Sequence, residues 1–272
     1  MTATGTAPGA AARFRAEYGA HRAAEGRGHH GDELFALPYL TTGPLARQWS
    51  VRARSFDAFM RHVIGPASSE FGRPLDVLDL GAGNGWLSRR VADAGHRALA
   101  ADVRDDAVDG LGAAAEFVDR SPARFARAAA SFDALPLMDG HFDVAVFNAA
   151  LHYALDLPAV LREAARTLRP GGWLAIVDSP FYARDGDGAA MVAEKRAHAA
   201  ERFGGRADVL LSQPFIEYLT ADGLRDASAD LDLRWHRHRV AYPLWYEVRP
   251  LIARLRRRRA PSRFDLWVAR TP

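Results

Sequence analysis

A short apolar run that breaks into three alternating glycines leaves a chain few ways to fold. Residues 75–85 read Leu-Asp-Val-Leu-Asp-Leu-Gly-Ala-Gly-Asn-Gly. Val77, Leu78 and Leu80 make the compact apolar stretch expected of a strand buried on both faces. Gly81, Gly83 and Gly85 end it. A helical pattern follows, with Trp86, Leu87, Val91 and Ala92 on one face and Arg89 and Arg90 elsewhere. Strand, glycine turn and helix in that order open a nucleotide-binding α/β unit, because glycine lets the backbone turn sharply and lets a ligand approach the main chain.

The spacing narrows the ligand. A dinucleotide site needs a third glycine three residues after the second, and that position is Trp86. No Lys-Ser/Thr pair follows the loop, so it is not a phosphate-cradling P-loop either. With no cysteine in 272 residues, disulfides, thiolate metal sites and a cysteine nucleophile are excluded. Net charge is +3, and Lys195 is the one lysine among the basic residues, a compositional skew with little functional weight. No apolar run approaches the roughly 20 residues of a membrane span, and Met1 to Ala12 carry no signal-peptide pattern, so a cytoplasmic location is expected.

In chain order, residues 1–10 read as a disordered tail and 11–70 as a helical N-terminal cap. Its clearest helix is Arg47 to Ile64, stopped by Gly65-Pro66. His21, His29 and His30 lie near Asp32 and Glu33, but the spacing fits no metal-ligand motif and reads as a solvated loop. Residues 71–272 form the α/β domain. Arg97 to Asp102 is its second strand, ending in a carboxylate about 20 residues past the loop, where one carboxylate can accept both hydroxyls of a ribose. Val103 then offers an apolar face to an adenine ring, and a helix is expected over Ala107–Val118. Phe125–Ala130 is the third strand, Phe142–Asn148 the fourth and Trp173–Asp178 the fifth, with a helix over Pro158–Leu168 between the last two. Asn148, His152 and Tyr153 fall at the carboxyl end of the fourth strand, where open α/β sheets bind ligands. Beyond residue 179 a helix over Ala189–Phe203, another beginning in Pro214–Leu219, a sixth strand in Asp230–Arg239 and a seventh in Phe264–Ala269 are expected. Substrate-side insertions fall at 179–230 and 240–262. Tyr242, Trp245 and Tyr246 either line a pocket or pack the second insertion, and the run Arg254, Arg256 to Arg259 reads as a solvated face.

Asp79-x-Gly81-x-Gly83-x-Gly85, the block Ser131-Phe-Asp-Ala-Leu-Pro-Leu-Met-Asp-Gly-His-Phe-Asp143, and Leu168-Arg-Pro-Gly-Gly-Trp-Leu occur in that order. Together they resemble the class I S-adenosylmethionine-dependent methyltransferases of the small-molecule, ubiquinone-biosynthesis-like type, over roughly 100 residues. The resemblance implies a doubly wound, mostly parallel seven-stranded sheet with an antiparallel edge strand, and S-adenosyl-L-methionine as cofactor. It implies contacts from Asp79, Gly81, Ala82, Gly83, Gly85, Asp102, Val103, Ser131, Phe132, Asp133 and Asn148, with no metal. The family often has Asp-Ala-Glu where this chain has Ser131-Phe132-Asp133, which leaves open whether Ser131 or Asp133 meets the adenine amine, with Phe132 adding only its backbone. Methyl transfer to a phenol, enol or amine needs a proton removed, and histidine suits that task. His152 is the first candidate and His141 the second. Asn148-Ala-Ala-Leu stands where methyltransferases acting on base amines have Asn/Asp-Pro-Pro-Tyr/Phe, so a small-molecule acceptor is expected and a nucleic acid is not. The alternatives are a non-methylating enzyme that uses the same cofactor, an RNA methyltransferase and a non-catalytic binding module.

Overall fold

The computed structural model describes residues 28–120, 125–203 and 213–272. The expected tail, His21 and the cap before residue 28 lie outside them. The described chain runs α1 (Gly31–Ala36), α2 (Ala46–Phe59), α3 (Gly65–Phe71), β1 (Asp76–Leu80), α4 (Trp86–Asp93), β2 (Arg97–Asp102), α5 (Ala115–Arg120), β3 (Ala126–Ala129), β4 (Phe142–Asn148), α6 (Leu157–Thr167) and β5 (Leu168–Val177). It continues with α7 (Asp185–Phe203), α8 (Ala221–Ala227), β6 (His236–His238), α9 (Leu244–Glu247), α10 (Arg249–Leu255) and β7 (Leu266–Arg270).

The strands form one seven-stranded sheet in the order β3-β2-β1-β4-β5-β7-β6. The first five are parallel, and β7 runs antiparallel between β5 and β6. The antiparallel strand therefore lies one place in from the edge, and β6 is the edge. Alternation along the central strands gives the sheet two apolar faces. Val77, Val144, Val146, Ala175 and Val177 pack under α2, α3 and α4. Leu78, Leu80, Ala145, Phe147 and Ile176 face α6 and α8.

The starts of the strands are tied by charge. Asp143 is fully buried, and its carboxylate accepts from Arg73 Nη1 and Nη2 and the Asp76 backbone N–H, each at 2.8 Å. Arg169 Nη1 adds a fourth contact at 2.8 Å. The network joins the chain entering β1 to the first turns of β4 and β5 and so holds their register.

Several elements differ from the sequence reading. Gly65-Pro66 does not stop the first helix. A wide π turn over Met60–Ile64 links α2 directly to α3, and Gly72 in the left-handed region (φ 61°) ends the run. Proline lacks the N–H that a regular turn needs and its ring crowds the preceding turn, and the wider turn accommodates both. The helix expected over 107–118 is only α5, because Asp106 Oδ1 accepts the N–H groups of Val108 and Asp109 at 3.0 Å and holds a turn there. Pro214–Leu219 is not helical. Ile216 N donates to Ala154 O, Glu217 N to His152 O and Leu219 N to Pro180 O, all at 2.9 Å. Helix α8 begins only after Thr220, whose hydroxyl caps Gly223 N at 3.0 Å, and it runs through Gly223. The strand expected over 230–239 shrinks to β6 behind a left-handed Asp232 (φ 48°).

Burial raises the Asp143 pKa, but the Arg73 hydrogen bonds, the Asp76 N–H and the Arg169 charge outweigh it, and the net shift is downward. Its stabilisation is therefore full above the unfolded carboxyl value and is lost as pH falls below it. Asp143→Asn is expected to cost about 2 kcal/mol in urea unfolding at pH 7, with the gap to wild type closing toward pH 3.

Candidate active site at the carboxyl ends of the strands

The glycine turn closes over the tips of β1 and β4. Gly81 has φ 72°, and a β-carbon there would sit 2.4 Å from the Ala150 β-carbon. At Gly85 (φ 75°) it would meet the Phe125 ring at 2.9 Å. Packing of the protein on itself therefore demands glycine at both positions. Gly83 (φ 56°) differs, since a β-carbon would meet only Asp109 O at 3.4 Å. Ala82 is buried against Ala100 and Leu111. Trp86, in place of a dinucleotide site's third glycine, is 4% exposed and packs edge-on against Trp49 and Phe56 of α2, with ring centres 5.9 and 5.5 Å away. It anchors α4 and does not approach a ligand.

Asp102 stands at the tip of β2. Gly83 N–H donates to its Oδ2 and Arg104 N–H to its Oδ1, both at 2.8 Å. The carboxylate is thereby fixed in orientation beside the glycine turn, and each oxygen keeps lone-pair capacity for a second donor. Burial raises its pKa, and the two backbone N–H groups partly offset the effect. Val103 next to it is 45% exposed, which leaves an apolar face available there. A vicinal diol and an aromatic ring fit this pair of neighbours. Asn148, at the tip of β4, is buried, and its Oδ1 has no hydrogen-bond partner, an acceptor aimed at something beyond the chain's own groups.

The other expected residues separate. Asp79 is completely buried inside β1. Its Oδ2 accepts from Ser88 Oγ at 2.8 Å, which ties α4 to β1, and its Oδ1 is buried without a hydrogen-bond partner. Ser131 follows β3 in a tight turn bridged to Ala134, and Asp133 is exposed. Phe132 contributes more than backbone, since its ring lies edge-on to Phe147 at 5.8 Å, beneath Gly81. His152 lies in a short 3-10 turn after β4 with its ring 4.3 Å from that of Tyr153. Its carbonyl accepts from Glu217 N, and Glu217 in turn pairs with Lys195 at 2.6 Å. His141 precedes β4 and so lies at the opposite end of the sheet, about 20 Å of strand away, which removes it as a base.

His29 is not solvated. It is 6% exposed, and its Nε2 accepts from Trp49 Nε1 at 3.0 Å. His30 pairs with Glu116 at 2.9 Å. Among the described residues no group of three or more His, Cys, Asp or Glu side chains could hold a metal ion. Tyr242 and Tyr246 are buried packing residues of the second insertion. Arg254 and Arg256 to Arg258 are exposed, and Arg259 pairs with Glu194 at 2.8 Å. Sequence reasoning missed the contact of Ser55 Oγ with the buried Asp178 Oδ1 at 2.5 Å, since Ser55 carries no motif and Asp178 reads only as the end of the fifth strand.

Burial pushes the Asp79 carboxyl up to about 7, assisted by the nearby Asp102 charge and opposed by Ser88. A raised native pKa makes the folded state bind the extra proton, so this group's effect on stability worsens as pH rises from the unfolded carboxyl value through about 7. Thermal unfolding of Asp79→Asn is expected to show a flatter pH dependence than wild type between pH 5 and 8, with no loss of Tm at pH 8.

Residues 78–176 match the family model described as a methyltransferase domain. A malonyl-[acyl-carrier protein] O-methyltransferase of Erwinia pyrifoliae is 32% identical over 125 residues, 44% of this chain and 45% of that protein. A tRNA 5-carboxymethoxyuridine methyltransferase of Escherichia coli is 32% identical over 109 residues, 40% of each chain. The chain thus spans less than half the length of these curated relatives. The crystal structure of Burkholderia thailandensis 1,6-didemethyltoxoflavin-N1-methyltransferase, with 1,6-didemethyltoxoflavin and S-adenosylhomocysteine bound, aligns at TM-score 0.55 and 20% identity, covering 100% of this chain and 93% of that one, a likeness of fold. Sheet order, glycine turn and family match agree, and residues 78–176 are similar to a methyltransferase domain.

Proposed function

We propose that this protein transfers a methyl group from S-adenosyl-L-methionine to an O, N or C atom of a small molecule, as a cytoplasmic enzyme of biosynthesis. The observation that carries the reading is Asp102, a carboxylate held in place by the Gly83 and Arg104 N–H groups at the tip of β2 with exposed Val103 beside it. In this reading Asp102 accepts the ribose hydroxyls, Val103 and the Ser131–Asp133 turn receive the adenine, and the glycine turn with Asn148 holds the amino-acid end. The cofactor supplies the electrophilic methyl when bound. The chain's task is to place the acceptor in line behind it and exclude water. His152 stands at the acceptor side as the group that takes the acceptor's proton. In the same reading the cap and the two insertions set acceptor choice.

A second reading, an RNA acceptor, draws on the exposed arginines Arg254 and Arg256 to Arg258. It requires RNA binding that weakens steeply with salt, and salt-insensitive or absent binding in a filter assay dismisses it.

Calorimetry with S-adenosylhomocysteine is expected to show saturable binding, weakened at least tenfold by Asp102→Ala. Absence of binding, or an unchanged Asp102→Ala, overturns the assignment. His152→Ala is expected to lower turnover at least tenfold while cofactor affinity stays within twofold of wild type. Equal turnover rejects the proton-accepting role.

A further inference from the structure

Just past the tip of β5, next to Asn148, lie two buried polar residues, Asp178 and Ser179, that the cofactor reading does not use. Asn148 and Val177 are register partners at the ends of these strands. The next residues, Ala149 (φ 54°) and Asp178 (φ 51°), are both left-handed without being glycine, and Ala149 N donates to Val177 O at 2.9 Å. Strain of this kind persists where surrounding structure enforces it, and it gathers at ligand sites. Here it turns the Asp178 side chain toward α2. Asp178 is 6% exposed, Ser179 1% and Asn148 9%. Asp178 Oδ2, Ser179 Oγ and Asn148 Oδ1 are all buried without a hydrogen-bond partner. Buried polar atoms are nearly always paired, so the orphans on Asp178 and Ser179, which the cofactor reading leaves unassigned, mark a place built for another molecule's polar group.

The other carboxyl oxygen of Asp178 shows which kind. Ser55 Oγ, from α2, lies 2.5 Å from Asp178 Oδ1 and 2.8 Å from Tyr242 OH. Tyr242 OH donates to Phe264 O at 2.7 Å. Three oxygen–oxygen contacts this short need three hydrogens. The Ser55 and Tyr242 hydroxyls hold two, so the third belongs to the Asp178 carboxyl. The chain then runs from Asp178 O–H to Ser55, from Ser55 to Tyr242 and from Tyr242 to the Phe264 carbonyl.

We propose that Asp178 binds the methyl acceptor as a neutral carboxylic acid, offering its free oxygen, with the hydroxyl of the next residue, Ser179, to a neutral hydroxyl or amide N–H. A neutral acid gives a protonated amine no opposite charge to offset its desolvation, so this arrangement favours uncharged donors. Ser55 and Tyr242 are positioning residues that keep the proton on the inner oxygen. Burial favours the neutral acid and raises the Asp178 pKa, against the opposing pull of the Arg52 charge and of Ser55. The titratable and charged groups facing it are Arg52 from α2 and the hydroxyls of Tyr242 and Tyr246 from the second insertion, and the Asp178 charge would in turn raise both tyrosines. The inference rests on the methyltransferase reading and deepens it by naming the acceptor's polar class.

Infrared difference spectra between the full-length wild type and Asp178→Asn at pH 8, with S-adenosylhomocysteine present, test the proton. The carbonyl stretch of a protonated carboxyl is expected in the wild type and absent from the variant, and Ser55→Ala is expected to shift it. A wild-type spectrum identical to that of Asp178→Asn overturns the proposal. Benzyl alcohol and benzylammonium, matched in shape and different in charge, test the site. Benzyl alcohol is expected to shift the band at concentrations at least tenfold lower than benzylammonium. Equal response, preference for the ammonium, or no shift with either at saturation overturns the site. Calorimetry on the same samples keeps the two readings apart. Protein that takes up S-adenosylhomocysteine but shows no carboxyl band loses only this inference, whereas protein that takes up none loses the cofactor assignment.

Discussion

Where β1 ends, the backbone of Gly81 comes so close to Ala150 that a single added carbon would not fit. The rest of the ligand side depends on that contact. It lets the turn after β1 fold down against the residues leaving β4, which brings Gly83 to Asp102 and leaves Asn148 at the rim. A larger residue would push the two strand tips apart, and the carboxylate at β2 would lose the N–H that orients it. Gly85 and Phe125 repeat the arrangement one step further along. Close self-packing, as much as room for a ligand, explains this glycine pattern.

The sheet is electrostatically polarised from one end to the other. At the starts of the strands, Asp76 and Asp143 sit among Arg73, Arg97 and Arg169, and their pKa values are held down. At the ends, Asp79, Asp102 and Asp178 are buried deeply enough that desolvation outweighs the pull of Arg104 on Asp102 and of Arg52 on Asp178, and theirs are pushed up. The first group stabilises the fold through full pairing. The second is kept at a cost to stability, the usual mark of groups retained for binding or chemistry. Both sets lie on the same strands, so the paired end braces the strands while the opposite end carries the strain of Ala149 and Asp178.

The insertion between β6 and β7 joins these two themes. Because β7 runs antiparallel to β5, its first residues lie beside the carboxyl end of β5, and the connecting segment over 239–265 falls on the ligand side. Tyr242 reaches from it to Ser55, and through Ser55 to Asp178. A segment with no family signature in the sequence is thereby wired to the end of a central strand.

The sequence by itself determined the parallel core and the place of the glycine turn and Asp102 at the strand ends. The apolar runs of β1 and β4, the glycine spacing, Asp102 at a strand end and the Pro-Gly-Gly turn are local patterns, and local patterns survive in one dimension. Elements governed by side-chain capture of the backbone were misread. Asp106 broke the helix expected over 107–118, Thr220 moved the start of α8, and the π turn carried a helix through Gly65-Pro66. Only the tertiary structure decided that Asp79 faces inward, that His141 lies at the wrong end of the sheet, and that His29 is buried against Trp49. It alone brought Ser55, Asp178 and Tyr242 together, because hydrogen bonds between residues 123 and 187 positions apart follow from where packing places the backbone and leave no periodicity in the chain.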